Sequence, residues 1–134
     1  MYDRPRASIA CATLLALGGL GVAQAHHSFA VFFDDARMVT VKGRVDEFLF
    51  RNPHGIIKFT VTMPDGSNAT WRAESNSPSI LERRGWNRDS LKPGEVIEVE
   101  GWPARDGSNY MRMRKVTRAD GAAVGIPFEQ ADQK

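Results

Sequence analysis

Cysteine is nearly absent from this chain of 134 residues, and the one that occurs, Cys11, lies in an apolar segment at the start. The rest of the chain therefore has no disulfide, no thiolate metal ligand and no cysteine nucleophile. A strong excess of charge is also missing, because 18 Lys and Arg residues stand against 16 Asp and Glu residues. This balance argues against a nucleic-acid partner. Neither a phosphate-binding glycine loop nor a G-x-S-x-G motif is present, which favours a binding protein over an enzyme.

Long uncharged apolar runs are scarce too, and the single example covers residues 7–23. Arg4 and Arg6 precede this run, and Ala23-Gln24-Ala25 follows it as an A-x-A cleavage motif. This order is typical of a secretory signal peptide, and the run is short for a membrane span. We therefore predict that residues 1–25 are removed and that the remaining protein is periplasmic or secreted, without a membrane span. One domain of 109 residues is left.

The remaining sequence begins with an arm, residues 26–37, and continues with five segments that have strand patterns. Alternating apolar residues and turn residues predict strands at 38–50, 55–62, 68–74, 96–101 and 110–118. The apolar phase of the first strand slips after Val45, which predicts a β-bulge near Asp46 and Glu47. Residues 121–134 show little pattern and are predicted to form a polar C-terminal tail.

One short helix is predicted between the third and fourth strands. Ser77 suits the N-cap, Pro78 suits the first helical position, and Gly85 suits the stop. Three strands, a helix and two strands follow the order of the OB fold. We therefore predict a mainly β fold, a small five-stranded OB-like Greek-key barrel over residues 38–120. A small open β-sandwich is the alternative.

Several short segments form a distinctive combination: Ala25 to Ala30 (AHHSFA), Asn52-Pro53-His54, Arg84-Gly85-Trp86, Leu91 to Gly94 (LKPG) and Arg105 to Ser108 (RDGS). Together they resemble an uncharacterised family of exported bacterial proteins, the domain of unknown function 6152. The resemblance extends from Ala25 to about Gly121. It implies a small exported β domain and brings no assigned activity and no functional residues.

All three histidines follow the predicted cleavage site. Cleavage after Ala25 would make His26 the first residue, and its α-amine and imidazole can chelate one metal ion. His27 or His54 would supply a further nitrogen, and a planar nitrogen set favours Cu(II) or Ni(II). Cleavage after Ala23 would instead place His26 third from a free amine, which also suits a square-planar ion. The plainer alternative is a mobile arm in which both histidines are incidental.

A second candidate site follows from the expected barrel. In OB folds, the loop between strands one and two and the loop between strands four and five contribute to the ligand face. This placement would bring together residues of both loops, namely Asn52, His54, Trp102, Arg105 and Asn109. The alternative for His54 is a turn residue that caps a carbonyl or faces water.

Three functional hypotheses follow. The leading one is an exported, non-enzymatic binding or accessory module that holds a copper-type ion through His26 with His27 or His54. The alternative is an envelope module that binds a protein, peptide or glycan without metal. The third is a small enzyme in which His54 acts with an acidic neighbour such as Asp46 or Glu47. That third hypothesis requires His54 to lie in a pocket beside a carboxylate.

Overall fold

The computed structural model describes residues 25–133, with side chains from Phe29 onward. The predicted signal peptide therefore lies outside the described residues, apart from its last residue, Ala25. The described chain forms helix α1 (Ala25–Phe32), strands β1 (Val39–Leu49), β2 (Ile56–Thr62) and β3 (Asn68–Glu74), helix α2 (Pro78–Arg83), strands β4 (Val96–Pro103) and β5 (Tyr110–Arg118), and a 3-10 turn (Gln130–Gln133). Within this range, no helix has the length and apolar character needed to cross a membrane.

The five strands form a closed barrel in the order β1-β2-β3-β5-β4. Neighbouring strands are antiparallel except for β3 and β5, which pair in parallel and include the pair Arg72 and Tyr110. The contact that closes the barrel is short, because only residues 72–74 of β3 pair with residues 110–112 of β5. The predicted mainly β, OB-like barrel is thus confirmed, in place of the open β-sandwich.

Strand β1 belongs to both halves of the barrel. Its first part pairs with β4, as far as Arg44 opposite Val96, and its second part pairs with β2. The register with β2 shifts between Val45 and Glu47. This confirms the predicted bulge, and the extra residue increases the local twist that a strand needs to bend from one partner to the other.

The barrel interior is filled by apolar side chains from all five strands. They include the buried residues Val45, Ile57, Phe59, Ala73, Ile97, Val99, Met111, Met113 and Val116. Burial of a side chain the size of Phe or Ile stabilises a fold by about 1.5–3 kcal/mol. Phe59 is wholly buried, with the partly buried ring of Trp71 packed beside it at 6.4 Å between centroids. Phe59 is therefore a core residue.

Helix α2 begins and ends where the sequence predicts. Ser77 has extended N-cap dihedrals, and Pro78 is the first helical residue. Leu81 joins the barrel core with no exposed surface. Gly85 ends the turn at φ +84°, a left-handed conformation that a side chain would strain. The backbone N–H of Trp86 then donates to the carbonyl of Leu81 at 3.1 Å, which turns the buried indole back onto the helix.

The segment after β5 differs from the predicted polar tail. Val124 and Phe128 are buried in the main core, Phe128 at 1 % exposure. The Phe128 N–H donates to the carbonyl of Arg114 at 2.8 Å, and the Arg84 guanidinium lies 4.5 Å from the Phe128 ring centroid. The domain therefore extends through residue 133. Val124, Ile126 and Phe128 do alternate, but Gly125 and Pro127 interrupt the run and Ile126 is exposed, so the pattern did not predict burial here.

Candidate functional site: a pocket between helix α1 and the barrel

The predicted N-terminal arm contains a helix that packs on the barrel. The Phe29 ring meets the Trp102 ring edge-on at 5.6 Å, and the Phe33 ring lies 5.4 Å from the Tyr110 ring. Phe33 also forms a β-bridge with Ala104 just after helix α1 ends. The spacing of Phe29, Phe32 and Phe33, three and four residues apart, is the signal that would have predicted this helix.

Arg105, in the loop between β4 and β5, fastens helix α1 to the barrel. Its Nε donates to the carbonyl of Ala30 at 2.7 Å, and its backbone N–H donates to the carbonyl of Phe32 at 2.9 Å. Its guanidinium also pairs with Asp35 at 3.2 Å. These contacts satisfy two carbonyls at the C-terminal end of the helix, which otherwise lack intrahelical partners.

A pocket of about 420 Å³ lies between this helix and the barrel. We call it the α1 pocket. Its lining combines an aromatic wall with a polar end: Phe29, Phe32, Phe33, His54, Glu74, Tyr110, Arg112 and Gln133. The residues come from helix α1 and the residue that follows it, the loop between β1 and β2, the end of β3, the start of β5 and the C-terminal turn. The fold alone thus brings together five separate parts of the chain.

His54 is held at this pocket by a carboxylate. Its Nδ1 lies 2.6 Å from Oε1 of Glu74, and the two side chains are 46 % and 16 % exposed. In neutral His54, an Nδ1–H that donates to Glu74 leaves Nε2 with a free lone pair. The other oxygen of Glu74, Oε2, accepts a hydrogen bond from the Tyr110 hydroxyl. Glu74 thereby sets the orientation of the imidazole.

Beneath Glu74 lies Arg112, a buried cation with a nearly complete set of acceptors. Its Nη1 donates to Oε1 of Glu74 at 2.8 Å and to the Ser75 carbonyl at 2.9 Å. Its Nη2 donates to Asn76, and its Nε donates to Gln133 Oε1 at 2.5 Å. Burial lowers the pKa of Arg112, and the neighbouring Glu74 carboxylate opposes that shift. A guanidinium stays protonated in proteins, so Arg112 balances the charge of Glu74.

Among the described residues that line this pocket, Gln133 carries the one buried side-chain polar atom without a hydrogen-bond partner. The residue is 6 % exposed, and its Nε2 has no hydrogen-bond partner. The amide orientation is fixed, because Nε of Arg112 can only donate and therefore needs the amide oxygen opposite it. A buried amide N–H without an acceptor costs about 1–3 kcal/mol.

Gly55 explains why the His54 loop sits so close to the end of β3. A Cβ at this position would lie 2.6 Å from Ser75 Oγ and 2.9 Å from Leu81 Cδ1. Backbone hydrogen bonds join Gly55 N to the Asn76 carbonyl at 3.0 Å and Ser75 N to the Gly55 carbonyl at 2.8 Å. The absence of a side chain lets the loop approach, and the approach sets His54 beside Glu74.

The predicted ligand face of both loops does not form as expected. Of its five residues, only His54 lines the α1 pocket. Trp102 is 3 % exposed and lies under Phe29, so it is a packing residue rather than a ligand platform. The guanidinium of Arg105 is engaged by helix α1. Asn52 and Asn109 are exposed and do not line the pocket.

The predicted metal ligands are described only in part. His26 and His27 fall within helix α1, but their side chains lie outside the described ones. Among the residues with described side chains, no three His, Cys, Asp or Glu groups are placed to hold a metal ion. The predicted nitrogen site through His26 therefore stays a prediction.

The acidic neighbour of His54 is also different from the expected one. Asp46 accepts from the Thr60 hydroxyl at 2.8 Å, and Glu47 pairs with Lys58 at 2.8 Å. The carboxylate that reaches His54 is Glu74, at the end of β3. Strand alternation predicts that Ala73 faces the core, but it does not predict the contacts of Glu74. The partners of Glu74 become its neighbours only when the barrel closes.

Comparison with solved structures finds weak likenesses. The chain is 17 % identical to a ZRD-deleted mutant of TiaS in complex with agmatine, with a TM-score of 0.48, over 70 % of this chain and 27 % of that one. It is 18 % identical to a small single-stranded DNA-binding protein from Streptomyces coelicolor, with a TM-score of 0.44, over 61 % and 90 % of the two chains. This chain thus spans about a quarter of the length of the TiaS structure.

No curated protein matches this sequence. A family model does match, over residues 14–112, and its description is "Family of unknown function (DUF6152)". That range includes most of the barrel, the loop that carries His54 and the strand end that carries Glu74. The family resemblance noted from the sequence is thereby confirmed, and the chain belongs to this family of unknown function.

Proposed function

We propose that this chain is an exported, non-enzymatic binding module and that the α1 pocket is its ligand site. The observation that supports this most is His54, which a buried ion pair orients at an open pocket of about 420 Å³. Ligand pockets commonly have volumes of about 300–1,000 Å³ and combine an apolar wall with a few placed polar groups. Support for export comes from the N-terminal pattern of residues 1–25.

In its metal-binding form, the proposal gives the pocket a copper-type ion. Metal-binding histidines commonly donate one ring N–H to a carboxylate and bind the ion with the other nitrogen. The contact between His54 and Glu74 matches the first half of this arrangement. The backbone of His26 lies three residues before Phe29 in helix α1, a rise of about 4.5 Å, and Phe29 lines the pocket. A terminal amine at His26 would therefore begin close to the site.

The metal form is tested on protein recovered after export. Intact-mass analysis first establishes whether cleavage follows Ala25 or Ala23. Titration with Cu(II), followed by EPR, then measures binding. We expect His54→Ala to weaken Cu(II) binding at least tenfold, while Arg51→Ala in the same loop leaves it unchanged. One extra residue before His26 should also weaken it. Equal Cu(II) affinity in all four proteins would contradict the metal form.

An enzyme is the second candidate, because its stated condition is met. His54 lies at a pocket beside a carboxylate, and this arrangement suits a general base that acts on water. The lining residues include no Ser, Thr or Cys for His54 to activate. Binding is therefore the better-supported proposal. Hydrolysis of p-nitrophenyl acetate that is lost in both His54→Ala and Glu74→Gln would favour the enzyme.

The hypothesis of a metal-free interaction module is less well supported by the structure than by the sequence. It depended on Trp102 and Arg105 as ligand contacts, and both are occupied by helix α1. Any envelope protein, peptide or glycan would have to meet the α1 pocket or the outer face of the helix instead.

A further inference from the structure

The aromatic wall of the α1 pocket is incomplete. Phe29 and Phe33 lie 5.6 Å apart, and Phe33 continues to Tyr110. Phe32 also lines the pocket, yet it is 63 % exposed, one of the most exposed large apolar side chains in the described part of the chain. Aromatic rings pack best edge-on or offset, at centroid distances of 4.5–7 Å. A flat ring inserted here would extend the existing row and cover Phe32.

The polar end of the pocket offers one acceptor and one donor. The acceptor is Nε2 of neutral His54, because Nδ1 lies 2.6 Å from a Glu74 carboxylate oxygen and is therefore the nitrogen that we assign the proton. The donor is Nε2 of Gln133, which is buried without a partner. A ligand that satisfies both needs an N–H or O–H for His54 and an oxygen for Gln133. A hydroxyl group is both donor and acceptor, so it is the simplest group that fits.

The charges at the pocket disfavour organic ions of either sign. Glu74 already accepts from Arg112 and Tyr110 and lies against His54. Arg112 already uses four of its five N–H groups on protein acceptors. An organic anion would lie beside the Glu74 carboxylate with no free cation. An organic cation, which unlike a metal ion cannot bind the His54 lone pair, would find no free carboxylate oxygen. A charge left unpaired in a pocket is costly.

We propose that the α1 pocket binds a small, uncharged aromatic molecule that carries a hydroxyl group, that is, a phenol. The ring lies against Phe29, Phe32 and Phe33, and the hydroxyl faces His54 and Gln133. This assignment rests on the proposed function of the pocket as a ligand site. It names the chemical class of the ligand, and it uses the metal-free form of His54, whose Nε2 would otherwise be taken by the ion.

The test uses the exported protein in the presence of a chelator and follows backbone resonances in two-dimensional NMR spectra. Three probes of similar size are titrated: p-cresol, benzoate and phenyltrimethylammonium. We expect p-cresol to shift the resonances of Phe29 to Phe33, His54 and Gln133. We expect the two ionic probes to bind at least tenfold more weakly.

Three variants identify the contacts. Gln133→Glu keeps an oxygen for Nε of Arg112 but removes the unpaired N–H, and should weaken p-cresol binding about 3–10-fold. Phe32→Ala removes an exposed ring without opening the core, and should weaken binding by a similar factor. Met63→Ala is its matched control, because Met63 is an exposed apolar residue outside the pocket lining. It should leave p-cresol binding unchanged.

The outcomes distinguish a failure of the phenol assignment from a failure of the proposed ligand site. If benzoate or phenyltrimethylammonium shifts the pocket resonances and p-cresol does not, the phenol assignment is overturned and the ligand site stands. If p-cresol binds but Gln133→Glu and Phe32→Ala bind it as well as the native chain, the assignment is also overturned. If none of the three probes shifts a pocket resonance, and Cu(II) added without chelator neither shifts nor broadens one, both the assignment and the proposed function fail.

Discussion

Helices α1 and α2 both cover the barrel, but they meet it in different ways. Helix α2 has only six residues, and it places Leu81 wholly inside the apolar core, followed by the buried Trp86. Helix α1 is longer, at eight residues, yet Val31 and Phe32 on it are mostly exposed. Its attachment consists of aromatic edges and the contacts of Arg105. The α1 pocket remains open beneath it.

This difference separates a structural element from a binding element. Apolar side chains that fill the space under a helix leave no room for a ligand and contribute directly to stability. A helix that stands away from charged, hydrogen-bonded side chains on the barrel leaves a space between them. Those polar side chains then face the space. We therefore expect substitutions at the α2 contact to change folding, and substitutions on α1 to change binding.

The largest expected effect concerns the ion pair of Arg112 and Glu74 at the α1 pocket. It tests whether this pair is as important to folding as the apolar core. Arg112→Met would leave the mostly buried Glu74 carboxylate without its cation and Asn76 without its donor. We expect the free energy of unfolding to fall by about 4 kcal/mol. Urea unfolding measures it. Arg114→Met, on the same strand but in partly exposed ion pairs, should cost at most about 1 kcal/mol. Equal losses would contradict the distinction between the two arginines.

The next effect compares the two helices directly. Leu81→Ala removes a fully buried side chain from α2 and should lower the free energy of unfolding by about 3 kcal/mol. Val31→Ala, on the exposed side of α1, should change it by less than about 0.5 kcal/mol. Chemical denaturation of both variants is the measurement. A large loss in Val31→Ala would show that α1 is as firmly built into the fold as α2.

A smaller effect concerns how α1 is held. Arg105→Ala removes the side-chain hydrogen bond to the Ala30 carbonyl and the pair with Asp35. We expect backbone amides of α1 to exchange with deuterium about 2–10-fold faster, because one to two hydrogen bonds no longer oppose local opening. Amides of the barrel strands should keep their rates. Arg37→Ala, at an exposed residue of the same arm, should leave the exchange rates of the α1 amides unchanged. Unchanged exchange in both variants would mean that Arg105 does not hold α1 on the barrel.

The smallest effect concerns pH and the turn next to Arg105. Hydrogen bonds from the Ser108 side chain and backbone lower the pKa of Asp106. A lowered folded-state pKa stabilises the fold above the ordinary aspartate pKa of about 3.9, and this contribution is lost as pH falls through the folded value. NMR titration should show the Asp106 pKa rising toward its ordinary value in Ser108→Ala.

Asp65 and Ser67 form the matched turn on the far hairpin, and the Ser67 hydrogen bonds likewise lower the pKa of Asp65. Asp65 in the native chain should therefore titrate like Asp106. A clear difference between the pKa values of Asp106 and Asp65 would contradict this expectation. It would show that helix α1 influences the turn at Asp106.

Most of the barrel could be predicted from the sequence because its information is local. Strand alternation identified β3 and β5 with the bounds that the structure has, and the phase slip identified the bulge after Val45. Serine, proline and glycine at fixed offsets identified α2. Each of these signals reports the conformation of a few adjacent residues.

The candidate site could not be predicted in the same way, since its contacts join distant residues. The ion pair of Glu74 and Arg112 joins residues 38 positions apart, and neither residue has a local reason to be buried. Arg112 lies between Met111 and Met113, and all three are buried, which contradicts simple alternation. The cover comes from helix α1 and the C-terminal segment, which the sequence patterns assigned to an arm and a tail.

The way the α1 pocket is assembled links ligand binding to the free energy of unfolding. Its lining comes from five separated parts of the chain, and the unfolded chain does not hold them together. A ligand that binds only the folded form raises the free energy of unfolding by RT ln(1 + [L]/Kd), about 2.7 kcal/mol when its concentration is a hundred times Kd. Thermal melting in the presence of a candidate molecule therefore doubles as a binding assay, and a ligand present in the compartment where this chain works would also set how long the chain survives there.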